Sequence, residues 1–148
     1  MHATIKGTIT EHLTLTKLLK LGYDACIPRP SVDPGGDLLL FVKDRILKVQ
    51  VKSSTKKFDS RKNRRPFYHF SMTKGSKNKV ALDDTDCDIM AFVSYEEEKV
   101  FFAAMKDMYR AHGNEHRQTK RFKFSFFSTP KDKIRLERYS LRRAIRYA

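Results

Sequence analysis

Three side chains at the two ends of one short stretch have types and spacing suited to chemistry. In DLLLFVKDRILKVQVKS, residues 37–53, a carboxylate (Asp37) opens one apolar run, while Gln50 and Lys52 close another. With Lys43-Asp44 as the turn of a hairpin, Asp37 stands directly opposite Gln50, and Lys52, two residues on, shares their face. An acid, an amide and an amine then meet at one point. Such a group can hold a hard cation by oxygen and offset negative charge on a bound substrate. The other face carries Leu38, Leu40, Leu47, Val49 and Val51, an unbroken apolar side suited to a core. Everything depends on register. A slip of one residue separates the pair, and Lys-Asp is a weaker turn signal than Asn-Gly.

The elements around the hairpin must hold it in place. Upstream, Thr8-Ile9-Thr10-Glu11 reads as a capping box that starts a helix running through Lys20, with Gly22 as its stop. Tyr23–Ile27 reads as a short strand, and the turn-rich PRPSVDPGG then delivers the chain to Asp37. Downstream, SSTKKFDSRKNRR is a polar, basic loop, and Phe67–Met72 is a strand with Pro66 at its start. TKGSKNK is a second basic loop. Ile89–Tyr95 and Val100–Ala104 form a second hairpin candidate. Met105–His112 reads as a short helix ending at Gly113, Asn114–Lys120 as a polar loop, and Phe122, Phe124 and Phe126 as an alternating strand. Lys131–Tyr147 reads as a helix, whose Leu136, Leu141 and Ile145 could face a partner subunit. No internal repeat or linker divides the chain, so residues 1–148 are expected to form a single domain.

Composition narrows the classes. No run of about 18 apolar residues marks a membrane span, and the N-terminus lacks the apolar core of a secretory signal. Two cysteines, Cys26 and Cys87, are too few for a disulfide framework or a zinc site, which points to a reducing, cytoplasmic setting. The net charge of +14 suggests a polyanionic partner. Its distribution strengthens that reading. Lys52–Lys79 holds ten Lys and Arg against one acid, and Lys120–Ala148 holds ten against two, whereas residues 81–98 hold seven acids and no Lys or Arg. Charge segregated in this way favours a basic binding surface over side chains that merely keep the protein soluble.

A first helix carrying Glu11, then Pro34-Gly35-Gly36-Asp37, then Gln50-Val51-Lys52-Ser53-Ser54, resembles the PD-(D/E)xK nuclease superfamily. Gly22-Tyr23 after the helix and Asp88 before an apolar strand resemble its branch near archaeal Holliday-junction resolvases. Small size, the Gln and the basic loops are closer still to its homing endonucleases, of the kind encoded in a cyanobacterial group I intron. The likeness spans roughly residues 5–105. The basic region 114–148 carries no motif of the family and is left for oligomerisation or DNA contact.

The resemblance implies an α/β fold with a restriction-endonuclease-like core, a mixed sheet of αβββαβ type flanked by helices. It implies hydrolysis of DNA phosphodiesters with Mg²⁺ or Mn²⁺, at a site formed by Glu11, Asp37, Gln50 and Lys52. Asp37 would be the principal metal ligand, joined by the backbone carbonyl of Val51, with Glu11 binding a second ion or a metal-held water. Lys52 would orient the attacking water or offset charge on the transition state. Gln50 departs from the usual Asp or Glu: it keeps an oxygen acceptor and removes one negative charge from the metal site.

For double-stranded DNA the expected contacts are Lys56, Lys57, Arg61, Lys62, Arg64, Arg65, Tyr68, His69, Lys74, Lys77 and Lys79. A β-ribbon fits the major groove, where Arg reads guanine, and Lys and Arg meet phosphates. Two strands need two active sites, so at least a dimer follows, and the resembled homing enzymes imply a tetramer. A structure-selective junction resolvase and a non-catalytic DNA-binding or recombination-accessory protein are the alternative functions. Plainer roles also stay open: Glu11 as part of a cap, Asp37 as a turn residue, Lys52 as the solvated end of a strand, Ser53 and Ser54 as turn formers.

Overall fold

The computed structural model describes residues 2–29, 36–57, 67–75, 78–112, 115–118, 121–124 and 139–148 of the 148. Helix α1 spans Ala3–Lys20 and so begins ahead of the expected cap. Residues 3–6 include no helix breaker, and Gly7 has open space around it, so nothing halts the helix before His2. The Thr8 hydroxyl bonds back to the Thr4 carbonyl at 3.1 Å, the habit of Thr inside a helix. The capping box is therefore not formed, and Glu11 lies mid-helix. The end falls where expected: Gly22 adopts φ 83°, its N–H bonds the Leu19 carbonyl at 2.9 Å, and the Tyr23 N–H reaches the Leu18 carbonyl at 3.2 Å. These two bonds satisfy carbonyls that the last turn leaves open.

Five strands make the main sheet: β1 (Asp24–Cys26), β2 (Leu38–Val42), β3 (Arg45–Ser54), β7 (Ile89–Ser94) and β8 (Lys99–Ala104), in the order β1-β2-β3-β7-β8. All neighbours are antiparallel except β3 and β7. The β2–β3 register is the expected one, with Leu38 opposite Val49, Leu40 opposite Leu47 and Val42 opposite Arg45. Lys43 accomplishes the turn in the left-handed region, at φ 50°, where a Cβ is crowded. Asn tolerates that region better than Lys. Lys43→Asn is expected to raise stability by about 0.5 kcal/mol, read as a higher denaturation midpoint at unchanged slope.

Alternation along the strands builds two cores. Leu38, Leu40, Leu47, Val49, Val51, Ile89, Ala91, Val93 and Phe102 point to one face, where Leu18 of α1 packs on them. Thr10 and Thr14, also buried on α1, bond carbonyls of their own helix, so their hydroxyls are satisfied under the sheet. The other face carries Met90, Phe92 and Ala103, covered by Tyr68, Phe70, Met72 and Leu82. Those come from the crossover that the parallel β3–β7 pair requires. Among its described residues it holds β4 (Tyr68–Ser71), β5 (Thr73–Lys74) and β6 (Val80–Ala81), the last two paired as a small hairpin.

The C-terminal third departs from expectation. Met105–Met108 is a single 3-10 turn, and the chain then extends as β9 (Tyr109–His112), paired with β10 (Glu115–Gln118). The helix expected at 105–112 and the loop at 114–120 are thus largely one hairpin. No apolar face at helical spacing runs through Tyr-Arg-Ala-His to hold a helix against a core. β11 (Arg121–Phe124) pairs with β4, as the alternating phenylalanines suggest, while Phe126 lies outside the described residues. Helix α2 covers Leu141–Tyr147, and the side chain of Ser140 caps it by accepting from the Arg143 N–H. Tyr139 and Ser140 are not helical, so the expected 131–147 helix is shorter at its described end. Leu141 does not face a partner: it is buried, and with Ala144 it packs into the α1-side core. Leu136 lies outside the described residues.

Candidate functional site

The site lies where the chain enters β2. Gly36 takes φ 86°, and a Cβ there would stand 3.2 Å from the Val49 carbonyl oxygen, so only glycine lets the backbone pass so close over β3. The next residue, Asp37, donates its N–H to that same carbonyl at 2.9 Å. Its side chain then turns along β3. Oδ2 accepts from the Val51 N–H at 2.7 Å and from Gln50 Nε2 at 2.5 Å. The expected Asp37–Gln50 juxtaposition is thus formed, at the end of the sheet where β2 begins. Oδ1 has no hydrogen-bond partner among the described residues. In a strand the N–H and carbonyl of one residue point the same way, so the Val51 carbonyl also leaves β3 on the Asp37 side.

Burial pushes the Asp37 carboxyl above the usual range, against the opposing pull of the Val51 N–H, of Lys52 and of the Gln50 amide. Glu11 is also raised, first by partial burial and then by the charge of Asp37, with His12 working the other way. Glu11 therefore lies within reach of the Asp37 charge. Together they form a half-buried negative site whose charge Lys52 and the Gln50 amide only partly offset. Lys52 shares the Gln50 face of β3, and its Nζ donates to the Thr73 carbonyl at 3.1 Å. An ammonium carries three protons, so two remain for other acceptors.

The oxygens that could hold a cation here are all hard: Asp37 Oδ1, the Gln50 amide oxygen, the Val51 carbonyl and the Glu11 carboxylate. That chemistry suits Mg²⁺ or Mn²⁺, which take few carboxylates and keep several waters. No group of three or more His, Cys, Asp and Glu able to hold a metal occurs among the described residues. A set of two carboxylates completed by an amide and a main-chain carbonyl is consistent with that.

Gln50 also has a direct structural effect, because it gives a donor to a carboxylate that a Glu would repel. Gln50→Glu is expected to cost about 1–3 kcal/mol in a chelating buffer, as the Asp37 oxygen loses its donor and meets a like charge. Thermal melts with EDTA and with Mg²⁺ would check it, the deficit shrinking when the divalent ion is present.

The expected DNA-reading residues divide. Arg61, Lys62, Arg64, Arg65 and Lys77 lie outside the described residues. Lys57 and Lys79 are exposed. The Lys56 ammonium pairs with Glu97 at 3.2 Å, and Lys74 pairs with Asp86. His69, half-buried on β4, donates its backbone N–H to Ser54 Oγ at 3.0 Å. Tyr68 is corrected: it is 1% exposed, its ring stacked beside Phe70 in the core, because β4 turns Tyr68 and Phe70 inward together. It presents no surface to a base. Ser53 and Ser54 are not turn formers: both belong to β3, and Ser54 is buried at its end, its Oγ also donating to the Thr55 carbonyl.

Two contributors are not assigned a role by the sequence reading. The Asp88 carboxylate accepts the Lys48 N–H at 2.7 Å, and its own N–H donates to the Lys48 carbonyl at 2.9 Å. It thereby ties β3 to the start of β7 two residues before Gln50. The available signal is an acid opening an apolar strand, the same signal that marks Asp37. Thr73 acts through a main-chain carbonyl, which no residue type reveals.

No helix among the described residues is long and apolar enough to cross a membrane. The family model described as PD-(D/E)XK endonuclease matches residues 1–124. Among solved structures, the chain is similar to the bacterial homing endonuclease I-Ssp6803I, with a TM-score of 0.59 at 22% identity, over 88% of this chain and 82% of that one. No curated protein matches.

Proposed function

Because the chain belongs to the PD-(D/E)XK endonuclease family, we propose that it is a Mg²⁺-dependent, site-specific endonuclease that cuts both strands of DNA, of the homing type. The observation that carries the reading is the convergence on one sheet face of Asp37, the Gln50 amide and Lys52, with Glu11 close enough to sense the Asp37 charge. Likeness to a homing endonuclease in fold supports the finer assignment.

Asp37, Gln50, the Val51 carbonyl and Glu11 would hold the ion, which supplies Lewis acidity toward the phosphate and lowers the pKa of water. Asp37 is presented by two donors on one oxygen, so its other oxygen is oriented before any ion arrives. Lys52 extends its remaining protons over the same face, to meet a non-bridging phosphate oxygen as negative charge grows there. Replacing the usual carboxylate by Gln50 leaves one fewer negative charge, which favours weaker ion binding.

Lys57, Lys79 and the basic stretch Arg61, Lys62, Arg64 and Arg65 would supply phosphate and base contacts, with His69, Lys56, Lys74 and Lys77 beside them. Severing two strands requires two copies of the site, so the working form is a homo-oligomer of at least two chains, with a tetramer able to span a long target.

The test is cleavage-site mapping on a randomised duplex library with Mg²⁺. Cuts at one sequence with a fixed stagger would support the reading. Cleavage confined to four-way junctions would replace it with a resolvase. No nicking with any divalent ion would leave a DNA-binding protein without catalysis.

A further inference from the structure

Lys52 is one of two lysines of β3 whose ammonium groups are anchored to main-chain carbonyls, and the two anchors converge. The Lys52 Nζ is bonded to the carbonyl of Thr73, in β5. The next residue, Lys74, is ion-paired with Asp86. Asp86 in turn is built into a tight acidic turn: its Oδ2 accepts the Asp83 N–H at 3.0 Å, its N–H donates to the Asp83 carbonyl at 3.1 Å, and Asp83 Oδ1 accepts the Thr85 N–H at 2.9 Å. Lys48 of β3 donates its Nζ to the Thr85 carbonyl at 3.2 Å, while Asp88 clamps the Lys48 main chain. The turn thus grips β3 at Lys48 and β5 at Lys74, and β5 grips Lys52.

We propose that the acidic turn Asp83–Asp88, acting through Asp86, is a positioning device that fixes the β5 carbonyl against which the active-site lysine is held. This rests on the reading of Lys52 as part of a phosphodiester-cleaving site. β5 has only two paired residues, and two residues of ladder cannot by themselves hold a carbonyl to a fraction of an ångström. Anchorage has to come from outside the hairpin. Ser71 Oγ and Thr73 Oγ1, bonded at 2.8 Å, stiffen the approach to Thr73, and the Leu82 N–H on the Met72 carbonyl closes the base. The Asp86–Lys74 pair is the tether at the other end. Asp86 bonds Lys74 and the main chain of its own turn, so its effect on Lys52 runs through Lys74 and Thr73. It also explains why a strongly basic chain gathers four aspartates in six residues beside its reactive strand.

The test compares Asp86→Asn and Asp86→Glu with wild type in the full chain, by two measurements. Single-turnover plasmid cleavage at saturating DNA and Mg²⁺ should fall about tenfold in Asp86→Asn, with DNA affinity within about twofold and the Glu variant near wild type. Acetic-anhydride footprinting of the metal-free protein, read by peptide mass spectrometry, should show Lys52 modified about threefold faster in Asp86→Asn than in wild type, while exposed Lys20 and Lys99 are unchanged. Equal footprints and equal rates overturn the inference. So does tighter DNA binding with an unchanged rate, which would make Asp86 a mask on Lys74 only. A global loss of protection at every lysine, in the Glu variant as well, would reduce Asp86 to a folding residue. Should wild type not cut DNA at all, the functional reading fails while the footprint still decides the positioning role.

Discussion

Asp37→Asn should abolish cleavage, by roughly 10³-fold or more, and at the same time raise the melting temperature of the metal-free protein at neutral pH. The first half follows from losing the principal charged ligand. The second half follows from burial. In the fold the Asp37 carboxyl is held above its ordinary value, chiefly by desolvation, and Glu11 is raised by burial and by Asp37 itself. For a carboxyl raised by folding, the associated stability is fully present below its unfolded pKa and is lost as pH rises through the folded value. As the pH rises out of that window, the ionised forms weigh against the fold wherever no cation offsets them. Asparagine keeps the shape and still accepts the Val51 N–H, without the charge. The expected record is a higher melting temperature for Asp37→Asn in EDTA at pH 7, with the gap to wild type closing on acidification toward pH 4. Mg²⁺ should raise the wild-type melt and leave the variant's almost unmoved. A variant that melts below wild type at pH 7 would show that the carboxylate is net stabilising as it stands.

How far the sequence could be read depended on whether local pattern or tertiary contact decides an element. The β2–β3 hairpin was legible because Leu38, Leu40, Leu47, Val49 and Val51 allow only one register that buries them all, and that register places Asp37 on Gln50. The second hairpin, β7–β8, was legible from two long apolar runs around Glu96–Glu98. The start of α1 was not, because Thr8 and Glu11 satisfy the capping pattern equally well when the helix simply continues through them. Nor were β9 and β10, whose pairing is with each other and whose sequences are polar. Tyr68 was misplaced for a related reason. Beside Arg64 and Arg65 it reads as an amphipathic DNA contact, but side chains alternate along a strand, and Phe70, two residues on, draws Tyr68 to the buried face. At the site, what a residue type announces was recoverable: a carboxylate, an amide, a lysine. What depends on main chain was not, since the Val51 N–H, the Thr73 carbonyl and the close pass at Gly36 exist only once β3 has neighbours.

Lys52→Met is expected to lower the cleavage rate by about 10²–10³-fold, the usual effect of removing one preorganised donor from a developing oxyanion, while leaving DNA binding nearly intact. Methionine retains an unbranched stem of similar reach, so the space beside Asp37 stays filled. Three things change at once. The phosphate loses its cation, the Thr73 carbonyl loses its donor, and Asp37 loses a positive neighbour that lowers its pKa. The last effect leaves the ligand site more negative and removes a cation that repels the metal, so the variant should need less Mg²⁺ to reach half-maximal rate. Lys52→Arg separates these effects. It restores positive charge near Asp37 and a donor for Thr73, but its planar fork cannot present the point charge of an ammonium at the same place. The arginine variant should therefore recover wild-type Mg²⁺ dependence more fully than it recovers rate. Full recovery of rate would mean that charge alone suffices. An unchanged rate in Lys52→Met would remove Lys52 from the chemistry and leave it as the peg that holds β5 against β3.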